Sequence, residues 1–130
     1  MGKKVFLGGT CNNSTWRNIF IPMLTIDYFN PVVEDWTTEC QERELQERAN
    51  CDACLYVITP EMTGVYSIAE VVDDSNKRPD KTVFVFINSE NKKFTAQQEK
   101  SLQAVAVMVI NNGGTFFSNL EDAAWYVNSI

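Results

Sequence analysis

The chain alternates short apolar runs with longer amphipathic or polar segments along its whole length. The apolar runs predict five strands, in "KKVFLGG", "DYFNPVV", "ACLYVITP", "KTVFVFIN" and "GGTFFSN". Two of them, "ACLYVITP" and "KTVFVFIN", are continuously apolar, as is typical of central strands buried on both faces. The intervening segments place apolar residues at helical spacing, and Pro22 is expected to kink or shorten the first helix. In the last two helices the predicted inward faces are Leu102, Val105, Ala106 and Val109, then Leu120, Ala123, Ala124 and Val127.

Five such strand–helix units predict an α/β fold, a three-layer doubly wound five-stranded parallel sheet. The expected strand order is the flavodoxin-like 2-1-3-4-5, within one domain that spans residues 1–130. A ligand site on this fold lies beyond the carboxyl ends of strands 1 and 3. Three segments should meet there, namely "GGTCNN", "NPVVEDW" and "TPEMTGVYSIAE".

Two of these segments are loops that lead into a helix and could hold an anion. The first offers Gly8, Gly9, Thr10 and Asn12, and the second offers Thr63, Gly64 and Ser67. The first loop matches neither a Walker loop nor a dinucleotide fingerprint. A plain turn with Asn13 or Ser14 as the helix cap explains it equally well.

The spacing of Ser67 and Glu70 has two interpretations. It matches a capping box, in which both side chains bind the first backbone N–H groups of a helix. Thr95-x-x-Gln98 and Ser118-x-x-Glu121 repeat the pattern, which favours capping. A glutamate in the first turn of a helix is also kept ionised by the helix dipole, as a carboxylate nucleophile requires.

Three further residues near the predicted site could take part in binding or chemistry. Glu44 lies on a charged helix and is expected to turn toward the site, with Leu45 and Ala49 facing the sheet. Asp35 and Trp36 follow the second strand, and Trp36 either covers a base or closes the core.

Composition narrows the chemistry. A net charge of -6 argues against nucleic acid as a partner. The chain has no His, which excludes Ser-His and Cys-His catalysis, so carboxylates, Tyr, Lys or Cys must act. The four cysteines are expected to be reduced thiols, because the Cys51-x-x-Cys54 pair begins a strand rather than a helix. No secretory signal or apolar membrane span is visible, so we expect a cytoplasmic protein without a membrane partner.

Together, "VFLGGT", "NPVVEDW", "ELQERANCD", "CDACLYVITP" and "TGVYSIAE" resemble the nucleoside 2-deoxyribosyltransferase family, including its 2'-deoxynucleoside 5'-phosphate N-hydrolase branch. The resemblance runs from Lys4 to about Phe86. It implies that Glu70 is a nucleophile toward the anomeric carbon of a deoxyribosyl group and that Glu44 is its acid or sugar-positioning partner. It also implies a nucleoside or nucleotide ligand, no cofactor or metal, and a homodimer or larger oligomer with the site near a subunit contact.

The sequence departs from the family at several points. Gly64 stands six residues before Glu70, and the bulkier "VYS" replaces the second glycine of the usual turn. These departures leave a rival interpretation, a non-catalytic nucleotide-binding or sensing module on the same fold. An NAD-cleaving enzyme with a helix glutamate is a third possibility.

Overall fold

The computed structural model describes residues 2–11 and 13–130, which form alternating strands and helices. The strands are β1 (Lys4–Gly9), β2 (Asp27–Phe29), β3 (Ala53–Ile58), β4 (Thr82–Phe86) and β5 (Thr115–Phe117). The helices are α1 (Trp16–Phe20), α2 (Thr38–Asn50), α3 (Tyr66–Lys77), α4 (Ala96–Asn111) and α5 (Leu120–Asn128). Short 3-10 turns cover Ile21–Met23 and Pro79–Lys81. The first of these turns contains Pro22, which ends α1 as expected.

The five strands form one parallel sheet in the order β2-β1-β3-β4-β5. The register pairs Gly9 of β1 with Val57 of β3, and Ile58 of β3 with Phe86 of β4. The predicted α/β fold and strand order are therefore confirmed. The order reverses between β1 and β3, which places the crevice for a ligand at their carboxyl ends.

Helices cover both faces of the sheet. Successive side chains of each strand point to opposite faces, so each strand contributes to two hydrophobic cores. On one face, Val5, Leu7, Leu55 and Val57 pack with apolar residues of α1 and α5. On the other face, Phe6, Tyr56, Ile58 and Phe84 pack with residues of α3 and α4. The predicted inward faces of α4 and α5 are confirmed, with Val105 only partly buried.

Only one of the three predicted capping boxes forms. Thr95 and Gln98 exchange both hydrogen bonds at the start of α4. At α5 the cap is Asn119, whose side chain accepts from the N–H of Asp122, so the box predicted from Ser118 is wrong by one residue. The α3 helix begins at Tyr66 after Val65, with no side-chain cap, so Ser67 lies inside the helix.

The expectation for α2 was also partly wrong. Its buried residues are Glu44 and Arg48, whereas Leu45 is 50% exposed and Ala49 is exposed. The cause is a polar interaction: Arg48 donates hydrogen bonds to Asp73 and Asp74 of α3. The face of α2 that contains Arg48 is therefore the buried one. Glu44 still faces inward, but without an apolar anchor from Leu45.

Candidate active site

A cavity of about 310 Å³ opens at the carboxyl ends of β1 and β3. This volume lies at the small end of the range for small-molecule sites. The three segments that were predicted to meet do so here. The residues that line the cavity are Gly8, Gly9, Thr10, Cys11, Arg17, Pro31, Val32, Trp36, Glu44, Met62, Thr63, Gly64, Tyr66, Ser67 and Glu70.

Two buried carboxyl groups face this cavity from neighbouring helices. Glu44 of α2 is 8% exposed and Glu70 of α3 is 5% exposed. Burial, followed by a hydrogen bond to Glu44 and the Glu44 charge, raises the pKa of Glu70 to about 9. Glu70 therefore keeps its proton at neutral pH.

This state of Glu70 differs from the sequence expectation. Because α3 begins at Tyr66, Glu70 lies in the second turn of the helix, beyond the reach of most of the helix dipole. Desolvation therefore decides its protonation, and the residue is not kept ionised as predicted. A protonated glutamate must release its proton before it can attack a carbon atom.

Arg48 provides the positive charge nearest to Glu70. Its Nη1 atom lies 3.6 Å from Oε2 of Glu70, an oxygen without a hydrogen-bond partner among the described residues. Its Nε and Nη2 atoms donate to Asp74 at 3.2 and 3.0 Å, and Nη2 also donates to Asp73 at 3.0 Å. Burial is the largest single effect and lowers the pKa of the Arg48 guanidinium, but the hydrogen bond to Asp74 and the charges of the surrounding groups together outweigh burial and raise this pKa.

Asp74 holds this arginine in place from the protein interior. It is fully buried and also accepts hydrogen bonds from Tyr56 of β3 and from Arg78. Buried charges are tolerated when their partners satisfy them in this way. The network links Arg48 to Tyr56 of the central strand β3. It thereby holds the positive charge of Arg48 in a fixed position beside Glu70.

The loop after β1 is held tightly against the sheet. Gly9 has a φ of +118°, and a Cβ atom there would lie 2.0 Å from the carbonyl oxygen of Val57. A Cβ at Gly8 would meet the ring of Tyr56 at 2.6 Å. Both glycines are therefore required by close packing, whatever ligand the loop contacts.

Arg17 of α1 also holds this loop in place through hydrogen bonds to its backbone. Its guanidinium donates to the carbonyl oxygens of Leu7, at 3.2 and 2.9 Å, and of Thr10, at 2.7 Å. It lies over the ring of Trp16, with 4.5 Å from Cζ to the ring centroid. Burial lowers the pKa of Arg17 to about 10.

Two exposed aromatic side chains line the cavity mouth. Trp36 is 55% exposed and Tyr66 is 56% exposed. Trp36 therefore does not close the core, and its covering of a base stays a prediction. Tyr66 belongs to the "VYS" segment, and it lines the cavity without filling it. Flat aromatic faces of this kind suit stacking with a planar ring.

The family model described as nucleoside 2-deoxyribosyltransferase like matches residues 2–88. The chain belongs to this family. The matched segment includes both buried glutamates and every residue that lines the cavity. Comparisons with curated proteins and with solved structures gave no match.

Membership of the nucleoside 2-deoxyribosyltransferase-like family confirms the resemblance found in the sequence. The family is generally enzymatic, and its name indicates a small nucleoside ligand and a function of the deoxyribosyltransferase type. Within the described part of the chain, no helix is long and apolar enough to cross a membrane.

The cavity gathers all but two of the residues that the sequence predicted for the site. Asp35 is exposed and does not line the cavity, so its role stays a prediction. Asn12 lies outside the described residues. Sequence reasoning did not single out Arg48 or Tyr66 as site residues, nor Cys11, Pro31, Val32 and Met62. Arg48 is the most important of the residues that sequence reasoning missed. Two signals in the sequence could have pointed to it: its four-residue spacing from Glu44, which puts both on one helix face, and the adjacent acidic residues Asp73 and Asp74.

The cysteines take no part in disulfides or metal binding in the described part of the chain. All four are free, and burial raises the pKa of Cys51 and Cys54 to about 12. Such thiols are unreactive because the thiolate is the reactive form. Among residues 2–11 and 13–130, no group of three or more His, Cys, Asp and Glu residues is arranged to hold a metal ion.

Proposed function

We propose that the protein cleaves, or transfers at, the N-glycosidic bond of a 2'-deoxynucleoside or its 5'-monophosphate. The observation that carries this proposal is the pair of buried carboxyl groups, Glu44 and Glu70, which line one cavity of about 310 Å³. Paired carboxyl groups perform glycoside chemistry, and the reaction is retaining when one of them is the nucleophile. The family membership supports the same chemistry.

The proposed reaction uses the proton of Glu70 to protonate the leaving base by way of Glu44. Glu70 passes its proton to Glu44, and the Glu70 carboxylate attacks C1' of the sugar. The C1'–N bond breaks, its electron pair goes to the base nitrogen, and Glu44 donates the proton to the leaving base. Arg48, 3.6 Å from Oε2 of Glu70, stabilises the carboxylate in this step.

The second half of the reaction releases the sugar. Water or a second free base attacks C1' of the glycosyl-enzyme, and the C1'–Glu70 bond breaks to restore the carboxylate. Glu44 takes the proton from the attacking group as general base. Trp36 and Tyr66 stack on the base in this proposal, and their exposed position allows one base to be exchanged for another.

A direct assay tests the proposal. Each deoxynucleoside and each deoxynucleoside monophosphate is incubated with the protein, and free base is separated by chromatography. We expect base release from at least one substrate, and its loss in the near-isosteric variant Glu70→Gln. The control is Glu42→Gln, which removes an exposed carboxylate from the helix that carries Glu44. Equal base release by wild type and Glu70→Gln would refute the role of Glu70.

Adding a second base separates transfer from hydrolysis, because only transfer yields a new nucleoside.

One observation favours a second candidate, a non-catalytic nucleotide-binding module. With a pKa of about 9, Glu70 is mostly protonated at neutral pH and would be a weak nucleophile. Calorimetry at pH 7 distinguishes the candidates. Tight binding of an intact nucleotide without base release over hours would favour the binding module.

A homodimer or larger oligomer is also part of the proposal. Val33 and Val65 are exposed apolar side chains that do not line the cavity but follow or precede residues that do. A second copy of the chain would cover such residues. Size-exclusion chromatography with light scattering measures the mass in solution, and a monomer at micromolar concentration would contradict this part.

A further inference from the structure

A second cavity, of about 260 Å³, opens at the carboxyl ends of β3 and β4. Residues 8–11 line the candidate active site and residues 13–16 line the second cavity, so the loop after β1 separates the two. No described residue lines both cavities. The volume lies slightly below the usual range for small-molecule sites, which suits a compact ligand.

Glu61 lines this second cavity with a carboxyl group that two hydroxyl groups hold in place. Thr59 donates to Oε1 of Glu61 at 2.8 Å, and Ser89 donates to Oε2 at 2.5 Å. Thr59 is 1% exposed, and because its one proton goes to Glu61, Ser14 is the donor in the 3.1 Å hydrogen bond between Ser14 and Thr59. The hydrogen bond from Ser89, opposed by burial and aided by Thr59, lowers the pKa of Glu61. Glu61 is therefore ionised at neutral pH and fixed from two strand ends.

This carboxylate has no ion-pair partner among the described residues. Lys92 attracts it weakly, but lies outside the cavity lining and beyond ion-pair distance. Of the described residues that line the cavity, only Glu61 and Glu90 are charged, and both are acidic. An anionic ligand would therefore be repelled, and a cationic one would supply the missing partner.

The nature of that cation follows from the rest of the lining. In the described part of the chain, no group of three or more His, Cys, Asp and Glu residues is arranged to hold a metal ion. Two isoleucine side chains form an apolar part of the wall, Ile19 of α1, which is 53% exposed, and Ile87, which follows β4 and is half-buried. A short hydrocarbon chain would remove this apolar surface from water. The lining therefore suits an organic cation.

We propose that the second cavity binds a small primary amine, with its ammonium group on Glu61 and its alkyl chain against Ile19 and Ile87. An ammonium group has three donors and no acceptor, so it matches a carboxylate that still has unused lone pairs. Hydrogen bonds between charged groups are stronger than those between neutral groups, so an alcohol of the same shape is the weaker ligand. The site lies outside the cavity of the proposed reaction, and its occupation does not depend on that reaction.

A titration followed by NMR tests the proposal. The ¹⁵N-labelled protein is titrated with butylamine, butan-1-ol and butanoate at pH 7 and constant ionic strength. We expect butylamine to shift the amide signals of Thr59 and Ser89 saturably and to bind at least about fivefold more tightly than butan-1-ol. Butanoate should not bind. Equal binding of the amine and the alcohol, no saturable binding of the amine, or shifts confined to Gly64 and Tyr66 of the first cavity would overturn the proposal.

Two variants test the assigned contacts. Glu61→Gln keeps the shape and removes the charge, so the affinity for butylamine should fall at least about fivefold, whereas the exposed control Glu42→Gln should bind as wild type does. Ile19→Lys places a competing ammonium group in the cavity and should weaken binding similarly. Asn18→Lys is its matched control, because Asn18 is exposed on the same helix but does not line the cavity.

Unchanged affinity for butylamine in either Glu61→Gln or Ile19→Lys would overturn the proposal. If Glu61→Gln does not fold, Ile19→Lys decides, because it changes an exposed side chain. None of these titrations requires turnover. The amine site and the proposed glycosidic reaction can therefore fail independently of each other.

Discussion

The buried proton on Glu70 should make the folded protein less stable as the pH rises. The carboxyl group is 5% exposed, and burial with the nearby Glu44 raises its pKa from 4.5 to about 9. Between these values the unfolded chain has released the proton and the folded chain has kept it. Stability from this group is therefore present below about pH 4.5 and lost progressively up to about pH 9.

The size of the effect follows from the two pKa values. Their difference, 9 − 4.5 = 4.5 units, at about 1.4 kcal/mol per unit, sets a ceiling of about 6 kcal/mol. Local relaxation and water entry reduce the cost of a buried charge, so we expect about 2–4 kcal/mol between pH 5 and pH 9. Glu70→Gln removes the titration and keeps the shape, so it should abolish this contribution.

Urea unfolding between pH 5 and pH 9 measures the difference. We compare the free energy of unfolding of wild type, Glu70→Gln and the exposed control Glu42→Gln. The advantage of Glu70→Gln over wild type should grow by about 2–4 kcal/mol across this range. Glu42→Gln should follow the wild-type pH dependence. If the wild-type and Glu70→Gln curves run parallel from pH 5 to pH 9, the buried proton is absent and the reasoning fails.

Three further variants test the parts around the cavity. Arg48→Met should move the acidic limb of the kcat/KM profile up by about one pH unit or more and cost about 3–5 kcal/mol of stability, because Glu70 loses its nearest cation and Asp74 keeps only Arg78. Arg48→Lys should restore part of both effects, and an unmoved acidic limb in Arg48→Met would contradict the electrostatic role of Arg48. Trp36→Ala should raise KM about tenfold in steady-state assays with little change in kcat, since only stacking is lost; an unchanged KM would exclude stacking. Gly9→Ala should lower stability by at least about 2 kcal/mol in urea unfolding, because its Cβ would clash with Val57, whereas Gly64→Ala, with nothing within 4 Å of its Cβ, should not.

The fold was predictable because its signals are local and repeated. Continuous apolar strands such as "ACLYVITP" and helices of regular spacing define a parallel sheet. Pro22 ends α1, and Thr95 and Gln98 form the predicted capping box at the start of α4. Ser67–Glu70 satisfied the same spacing rule without forming a cap, because α3 begins at Tyr66, two residues earlier than a cap at Ser67 requires.

The site was predictable in position and less so in its electrostatics. Topology brought Gly8, Glu44 and Glu70 to one crevice, as the switch-point rule predicts. The inward face of α2 could not be inferred from hydrophobicity, because it consists of the charged residues Glu44 and Arg48. Arg48 is buried only because Asp73 and Asp74, more than twenty residues away, neutralise it. The residues themselves are visible in the sequence, but no local pattern shows that Arg48 and the two aspartates meet.

The protonation of Glu70 was likewise beyond local reasoning. A difference of two residues in the start of α3 decides whether the helix dipole acts on this carboxyl group. Its burial and its contact with Glu44 depend on the packing of two helices that are far apart in the sequence. Both facts become available only when the helices are placed on the sheet.

Trapping the glycosyl-enzyme is the most direct test of the central claim. The protein is mixed with the deoxynucleoside that it cleaves fastest, quenched in acid within milliseconds to seconds, digested, and analysed by mass spectrometry. The account predicts a peptide that contains Glu70 and is heavier by one deoxyribosyl group, absent from Glu70→Gln and present in Glu42→Gln. Base release with no adduct at any quench time, or with an adduct on a different residue, would contradict it.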